Sequence, residues 1–364
     1  MALFTKNFII SLILTIFIFC NFPLQAAQDG DEPVIPKKVV HVHKKTKNKK
    51  TQKKKTRRPS HKKKQKKSSS IKKKKKTESP REITPVVEEK DRSIERTVQE
   101  PVSKEGGSLQ NVVENEIIHL KATRRLLPGD EISLQVYDLN AKKMLADVNG
   151  TVIRNAASLI KVYVLLAVYE AISRQELQES PEIEHHLYRM IAISDNGATN
   201  HLIRRLGQGD ALKGIMAVNA QARKWGFSGT RLRELIPEGG KTYSNQTSVA
   251  DTTLFYRLLY EQKLISPQYS QKMNDILQKN IHDRIKTFQI KQDGVAVADK
   301  TGYVRGLNGD CGIVYQKGMN SGCDYALSII IENKSRPSDG AWGKKKSAVI
   351  RYLSDRIYQF LKNG

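Results

Sequence analysis

The chain has 364 residues, 27% of them charged, and a formal net charge of +26. Residues 37 to 76 hold 22 Lys and Arg and no Asp or Glu, which leaves 41 basic against 37 acidic residues elsewhere. The basicity therefore belongs to one tract, and the remainder carries no nucleic-acid signature. The length accommodates one large domain with appendages, or two domains.

At the N-terminus Lys6 precedes the apolar run Phe8 to Phe19 and then Pro23-Leu24-Gln25-Ala26-Ala27. This pattern predicts a signal peptide over residues 1–27, cleaved near Ala26 or Ala27, with the mature protein exported to the periplasm or the extracellular space. A bilayer span needs about 20 apolar residues, and this run is shorter. Bulky Phe19 ahead of Cys20 argues against lipid attachment. Cleavage would leave Cys311 and Cys323 on either side of the turn-like stretch 317–322. In an oxidising compartment they could pair across a hairpin, or stand as two separate thiols.

Residues 28–110 are dense in Lys, Ser, Thr, Glu and Pro and hold almost no apolar cluster. Such a segment cannot bury enough surface to offset chain entropy and reads as a disordered spacer. Its cationic part, residues 37–76, would favour polyanions through counterion release, which after export means an envelope surface. A solvated linker with no dedicated partner is the alternative. His41 and His43 have no accompanying ligand pattern, so no metal site is expected.

A globular pattern begins at about residue 111 and continues to 364. Glu131 to Leu139 alternates with Ile132, Leu134 and Val136 on one face, a strand, and a turn at residues 140–143 leads into a second one. Helical segments follow: from Ser158 to about Arg174, Ile183–Ile193, Ala198–Leu206, Asp210–Trp225, Val249–Leu264 and Ser266–Gln278. Val295–Ala298, Cys311–Gln316 and Tyr325–Ile331 read as strands, and a last amphipathic helix covers about Lys346 to Leu361. Strands at both ends with helices between them predict an α+β domain: an antiparallel sheet built from the two ends, flanked by helices, with an all-helical half.

Three short motifs carry chemistry. Ser158-x-x-Lys161 opens an apolar helical run, and positions i and i+3 share a helix face, so hydroxyl and amine stand side by side. A lysine accepts a hydroxyl proton only when neutral, and burial against Val162, Val164, Leu165 and Leu166 would lower its pKa as required. Ser60/Lys63, Ser69/Lys72 and Ser70/Lys73 match the same spacing by chance inside the basic tract. Ser194-Asp195-Asn196 lies at a helix junction, where it could present a hydroxyl and an amide or simply cap the next helix. Lys300-Thr301-Gly302 follows a strand-like run; it places a cation and a hydroxyl on a sheet edge, with a glycine permitting close ligand approach, or is an ordinary strand end.

In this order and context the three motifs resemble the set found in class A β-lactamases and penicillin-binding proteins. The resemblance extends to Ile132–Lys161, Ser194–Asn200, Thr230-Arg231-Leu232, Thr252-Thr253-Leu254 and Ala298–Gly302, and covers roughly residues 117 to 361. It implies that Ser158 is the acylated nucleophile, Lys161 its base, and Ser194 a proton relay to the leaving nitrogen. It further implies that Asn196 binds the substrate amide, that Lys300 and Thr301 hold its carboxylate, and that the N–H groups of Ser158 and Tyr303 form an oxyanion hole. No cofactor and no metal are implied.

Two departures bear on the outcome of the reaction. Ser158 and Ser194 are only 36 residues apart, so a segment that overhangs one rim of the cleft in the family is missing and a more open site is expected. The loop at residues 233–240 lacks the Glu-x-x-Leu-Asn pattern that positions the deacylating water; Glu238 or Glu234 could substitute, or both could be solvated loop carboxylates. The expected activity is an exported serine hydrolase of the class A type, acting on β-lactams or related cell-wall peptides. The alternatives are a D,D-peptidase or amidase with slow deacylation, and a non-catalytic envelope-binding protein that uses the basic tract.

Overall fold

The computed structural model describes residues 107–316, 324–337 and 340–363. The expected leader and nearly all of the Lys-rich spacer lie outside these residues. The first helix, α1 (Leu109–Ala122), starts where the Ser108 hydroxyl accepts a hydrogen bond from the Asn111 N–H. It buries Leu109, Val113, Ile117 and Leu120 as one stripe at helical spacing, a pattern the sequence reading did not assign to a helix.

Two strands follow, β1 (Asp130–Asp138) and β2 (Lys143–Val148), then a short β3 (Arg154–Asn155). A 3-10 turn over Ala157–Ile160 leads into α2 (Lys161–Ser173). The helical half continues with α3 (Pro181–Ala192), α4 (Asn196–Leu206) and α5 (Ala211–Lys224). A two-residue β4 (Gln246–Thr247) pairs with β3 and precedes α6 (Val249–Tyr260) and α7 (Pro267–Leu277). The chain ends with α8 (Phe288–Gln292), the strands β5 (Ala296–Val304), β6 (Leu307–Tyr315) and β7 (Tyr325–Asn333), and α9 (Ala341–Lys362).

The main sheet has the order β2-β1-β7-β6-β5, with every neighbouring pair antiparallel. β1 pairs with β7 over nine positions, from Asp130 opposite Asn333 to Asp138 opposite Tyr325, so the two ends of the domain make one sheet as expected. One face packs against α1 and α9 through residues such as Leu134, Ile329, Trp342 and Leu353. The other packs on the helical half, where α2 is buried from Lys161 to Ile172. A helix apolar on all sides belongs at a domain centre, and this one carries the Ser158 turn at its front.

Several boundaries differ from the sequence reading, each for a local reason. The helix expected from Ser158 begins as a 3-10 turn, because Ala157 takes a left-handed φ of 43°. Lys300-Thr301-Gly302 lies inside the nine-residue edge strand β5 rather than at its end, since pairing with β6 continues to Val304 opposite Leu307. The sixth helix stops at Tyr260, with Gln262 in the left-handed region. Cys311 is fully buried, its thiol free, and it stands opposite Ser328 in the ladder. Of the two readings of the cysteines, a free Cys311 agrees with separate thiols; Cys323 itself lies outside the described residues.

The C-terminal helix is fastened to the sheet by a buried ion pair. Lys346 Nζ lies 2.5 Å from Asp130 Oδ2, with both side chains fully buried, and also donates to the Arg125 carbonyl at 2.6 Å. Asp130 accepts in addition from Asn333 Nδ2 at 2.8 Å and Trp342 Nε1 at 3.0 Å. Removing one partner of such a pair leaves an uncompensated buried charge. Lys346→Met is accordingly expected to cost about 3–5 kcal/mol of stability, read as a lowered midpoint of urea unfolding.

Candidate active site

Ser158 sits in the 3-10 turn that precedes α2, and the turn is built by its neighbours. The Asn155 side chain accepts a hydrogen bond from the Ala157 N–H at 2.7 Å, and the Leu159 N–H reaches the Ala156 carbonyl at 2.9 Å. Ala157 is held at a positive φ, a conformation that costs an alanine about 1–3 kcal/mol and persists only where surrounding contacts over-determine it. The strain places the half-exposed Ser158 at the mouth of a cleft of about 470 Å³, together with Ser194, Asn196, Ile236 and Tyr303.

Lys161 lies one turn further on and is fully buried. Its Nζ donates to the Ser194 carbonyl at 2.5 Å, to Ser194 Oγ at 3.1 Å and to Asn196 Oδ1 at 2.9 Å. Burial, and next the charge of Lys300, push its pKa well below the ordinary lysine value, against a smaller opposing pull from Asp195. The shift favours the neutral amine, the form that can accept a proton.

The Ser194-Asp195-Asn196 segment performs both tasks the sequence left open. Asp195 caps α4, its side chain accepting from the Ala198 N–H at 2.7 Å, and it is ion-paired with Arg189. Ser194, at φ 57°, and Asn196 turn toward Lys161. Ser194 Oγ also accepts from Lys300 Nζ at 3.1 Å, so one hydroxyl bridges two buried lysines that are 139 residues apart in the chain. Burial pushes Lys300 down to about 8, while Asp299 and Asp310 beneath it pull the other way.

On β5, Tyr303 lines the cleft, whereas Thr301 is nearly fully buried beside Lys300, with its carbonyl accepting from Lys300 Nζ at 2.9 Å. Gly302 also meets the serine turn. A Cβ there would lie 2.8 Å from Leu159 Cγ and 3.2 Å from the Ala156 carbonyl oxygen, so the glycine lets the edge strand close against the serine turn.

The loop across the cleft runs from Thr230 to Thr247 and is clamped by asparagines. Asn219 exchanges hydrogen bonds with the Leu232 backbone at 2.8 and 2.7 Å, and Asn200 does the same with Ile236 at 2.9 and 2.7 Å. Asn245 Oδ1 accepts from the N–H groups of Arg233 and Glu234. Sequence reasoning missed this bracing and missed Ile236 as a cleft residue, because only the fold brings α4 under the loop. Glu234 is turned into the loop, accepting from the Thr242 hydroxyl at 2.8 Å. Burial would raise its pKa, but hydrogen bonds from the Ser244 and Thr242 segment outweigh that and lower it, so the carboxylate braces the loop in its charged form. Glu238 starts the short turn Glu238–Gly240, whose two glycines line the cleft; its side chain lies outside the described residues.

A half-exposed serine at the cleft, a buried amine of lowered pKa one helical turn further along the chain and a hydroxyl bridging that amine to a second lysine define a serine hydrolase of the β-lactamase type. The profile of the beta-lactamase enzyme family matches residues 117–184 and 177–361, and the chain belongs to that family. No match was found among curated protein sequences. Among solved structures, PBP-A, seen both by itself and as a point mutant in an acyl-enzyme complex with penicillin G, superposes with a TM-score of 0.56 at 24% identity, covering 69% of this chain and 96% of that one. A β-lactamase from Sphaerobacter thermophilus gives 0.55 at 22% identity, covering 68% and 95%. A class A β-lactamase from Bacteroides cellulosilyticus gives 0.55 at 20%, covering 71% and 100%. At these identities the likeness establishes the fold.

The contact of Gly302 with the serine turn can be tested directly. In Gly302→Ala the strand must shift by several tenths of an ångström, and misplacement on this scale costs about 10- to 100-fold in rate. Labelling of Ser158 by a fluorescent penicillin should slow by that factor while urea unfolding remains cooperative.

Proposed function

We propose that Ser158 is acylated by β-lactams or related cell-wall peptides and that the acyl-enzyme is long-lived, so that the protein behaves as a penicillin-binding enzyme rather than a fast β-lactamase. The observation that carries the acylation half is the Ser194 hydroxyl held between Lys161 and Lys300 beside Ser158. Ser158 Oγ attacks the carbonyl carbon and its proton passes to neutral Lys161. The resulting oxyanion is held by the backbone N–H groups of Ser158 and Tyr303. When the C–N bond breaks, the proton moves from Lys161 through Ser194 Oγ to the leaving nitrogen. Asn196 orients the substrate amide, and the Lys300 ammonium, with Thr301, attracts its carboxylate. These steps use groups of the chain alone.

Deacylation has other requirements: a water molecule and a base to activate it. At the cleft the braced loop presents the apolar, buried Ile236, and Glu234 is engaged inside the loop. A point mutant of PBP-A forms an acyl-enzyme complex with penicillin G, and this supports acylation as the retained step. The leader-like residues 1–27 support export to a compartment where such substrates occur, with the Lys-rich tract available to polyanionic envelope surfaces.

Intact-mass spectrometry of the protein mixed with penicillin G tests the lifetime. The adduct should be absent in Ser158→Ala, persist for many minutes in the wild type, and decay at least about tenfold faster in Ile236→Glu, which places a base at the cleft. Rapid wild-type turnover, with adduct accumulating only in Glu238→Gln, would show instead that Glu238 is the deacylating base.

Lysine titration adds a pH signature. Lys300 carries its charge below about 8 and loses it above, so attraction for a substrate carboxylate is present at neutral pH and fades as pH rises. The second-order labelling rate, which reports free-enzyme pKa values, should therefore fall on the alkaline side through about pH 8.

A further inference from the structure

The helices α3 and α4, joined by the turn that bears Ser194, bring together three side chains for which the acylation chemistry has no use. Glu182 and His186 stand one turn apart on α3, and His201 faces them from α4. The imidazoles of His186 and His201 stack at 4.1 Å between centroids, tilted by 27°. One ligand atom from each of Glu182, His186 and His201 can be chosen so that all three lie within 4.8 Å of one another. His201 Nε2 is 3.1 Å from Glu182 Oε1 but lacks hydrogen-bond geometry, and His186 Nδ1 is also buried without a partner. None of the three lines the cleft. Two imidazole nitrogens without hydrogen bonds, converging beside a carboxylate, are a donor set suited to a cation that accepts nitrogen and oxygen together.

We propose that Glu182, His186 and His201 bind a Zn²⁺ ion that ties α3 to α4. Zinc takes imidazole nitrogen and carboxylate oxygen at about 2.0–2.2 Å, which for a tetrahedral site requires ligand atoms about 3.3 Å apart. Glu182 Oε1 and His201 Nε2 already stand at 3.1 Å, so the remaining closure is between His186 and this pair, and the 56% exposed Glu182 side chain has room to follow. Water fills the fourth position. His185 and Arg189, the other basic groups of α3 near this cluster, offer no further ligand in this geometry. The ion takes no part in acyl transfer. It fastens the two helices whose junction holds Ser194 and Asn196 against Lys161. Spacing in the sequence gives no hint of it, since His186 and His201 are 15 residues apart on different helices.

The test is calorimetric titration of chelator-treated full-length protein with ZnCl₂, paired with thermal unfolding and with Co²⁺ absorbance as a report on coordination. The wild type should take up one more ion per chain than the double variant His186→Ala/His201→Ala, and its unfolding temperature should rise with Zn²⁺ where that of the double variant does not. Glu182→Gln should weaken binding at the site by about tenfold, while His185→Ala leaves it unchanged. The histidines of the basic tract are common to every variant and cancel in the difference. Fluorescent-penicillin labelling of each variant confirms that it is folded. Equal Zn²⁺ uptake and equal thermal response in wild type and double variant would overturn the proposal and leave the cluster as a His–Glu ion pair.

Discussion

The site depends on one buried amine. Lys161 reaches the Ser194–Asn196 turn with three hydrogen bonds from the front of a helix that is buried on every side. Removing an ammonium group from water is expensive, and here part of that cost is relieved by making deprotonation easy, which is the property a general base needs. The same burial that stabilises the domain through α2 therefore sets the chemistry of the residue at its start. Lys300 reinforces the effect from the other side of Ser194, as a second positive charge that disfavours the first.

Everything around this centre fixes distances. The sheet brings β5 to the serine turn because both ends of the domain contribute to it, and β5 is its outer edge. Gly302 removes the one side chain that would hold the strand off. On the opposite wall, single asparagines of α4 and α5 clamp the loop by bonding to both backbone groups of one residue, a compact way to hold an irregular segment rigid. The strain at Ala157 is sustained by this frame and turns Ser158 toward the cleft.

The same loop separates the two halves of a hydrolytic cycle. The groups proposed for acylation gather around Ser194, whose hydroxyl accepts from both Lys161 and Lys300. Deacylation needs a second base facing the acyl group; among the described side chains of the loop, Ile236 lines the cleft and Glu234 bonds to Thr242 within the loop. In the proposed reading, capture of the acyl group is retained while its release depends on this loop.

Much of this protein was legible in the sequence. Alternation in Glu131–Leu139, the apolar run after Lys161 and the capping residues ahead of the helices are local signals, and local energetics honours them. The motif order Ser-x-x-Lys, Ser-Asp-Asn, Lys-Thr-Gly was enough to name the family. The helix α1 is equally visible in the stripe Leu109, Val113, Ile117, Leu120. The serine turn, by contrast, depends on a side-chain hydrogen bond and a left-handed alanine that no periodicity encodes. The meeting of Ser194 with Lys300, the enclosure of Glu234 in its loop and the burial of Cys311 opposite Ser328 arise only when distant segments pack. Sequence determined which elements form and which groups are available, because those preferences act over a few residues. Tertiary structure decided which groups meet and how readily each holds its proton, because contact and burial are properties of the folded chain.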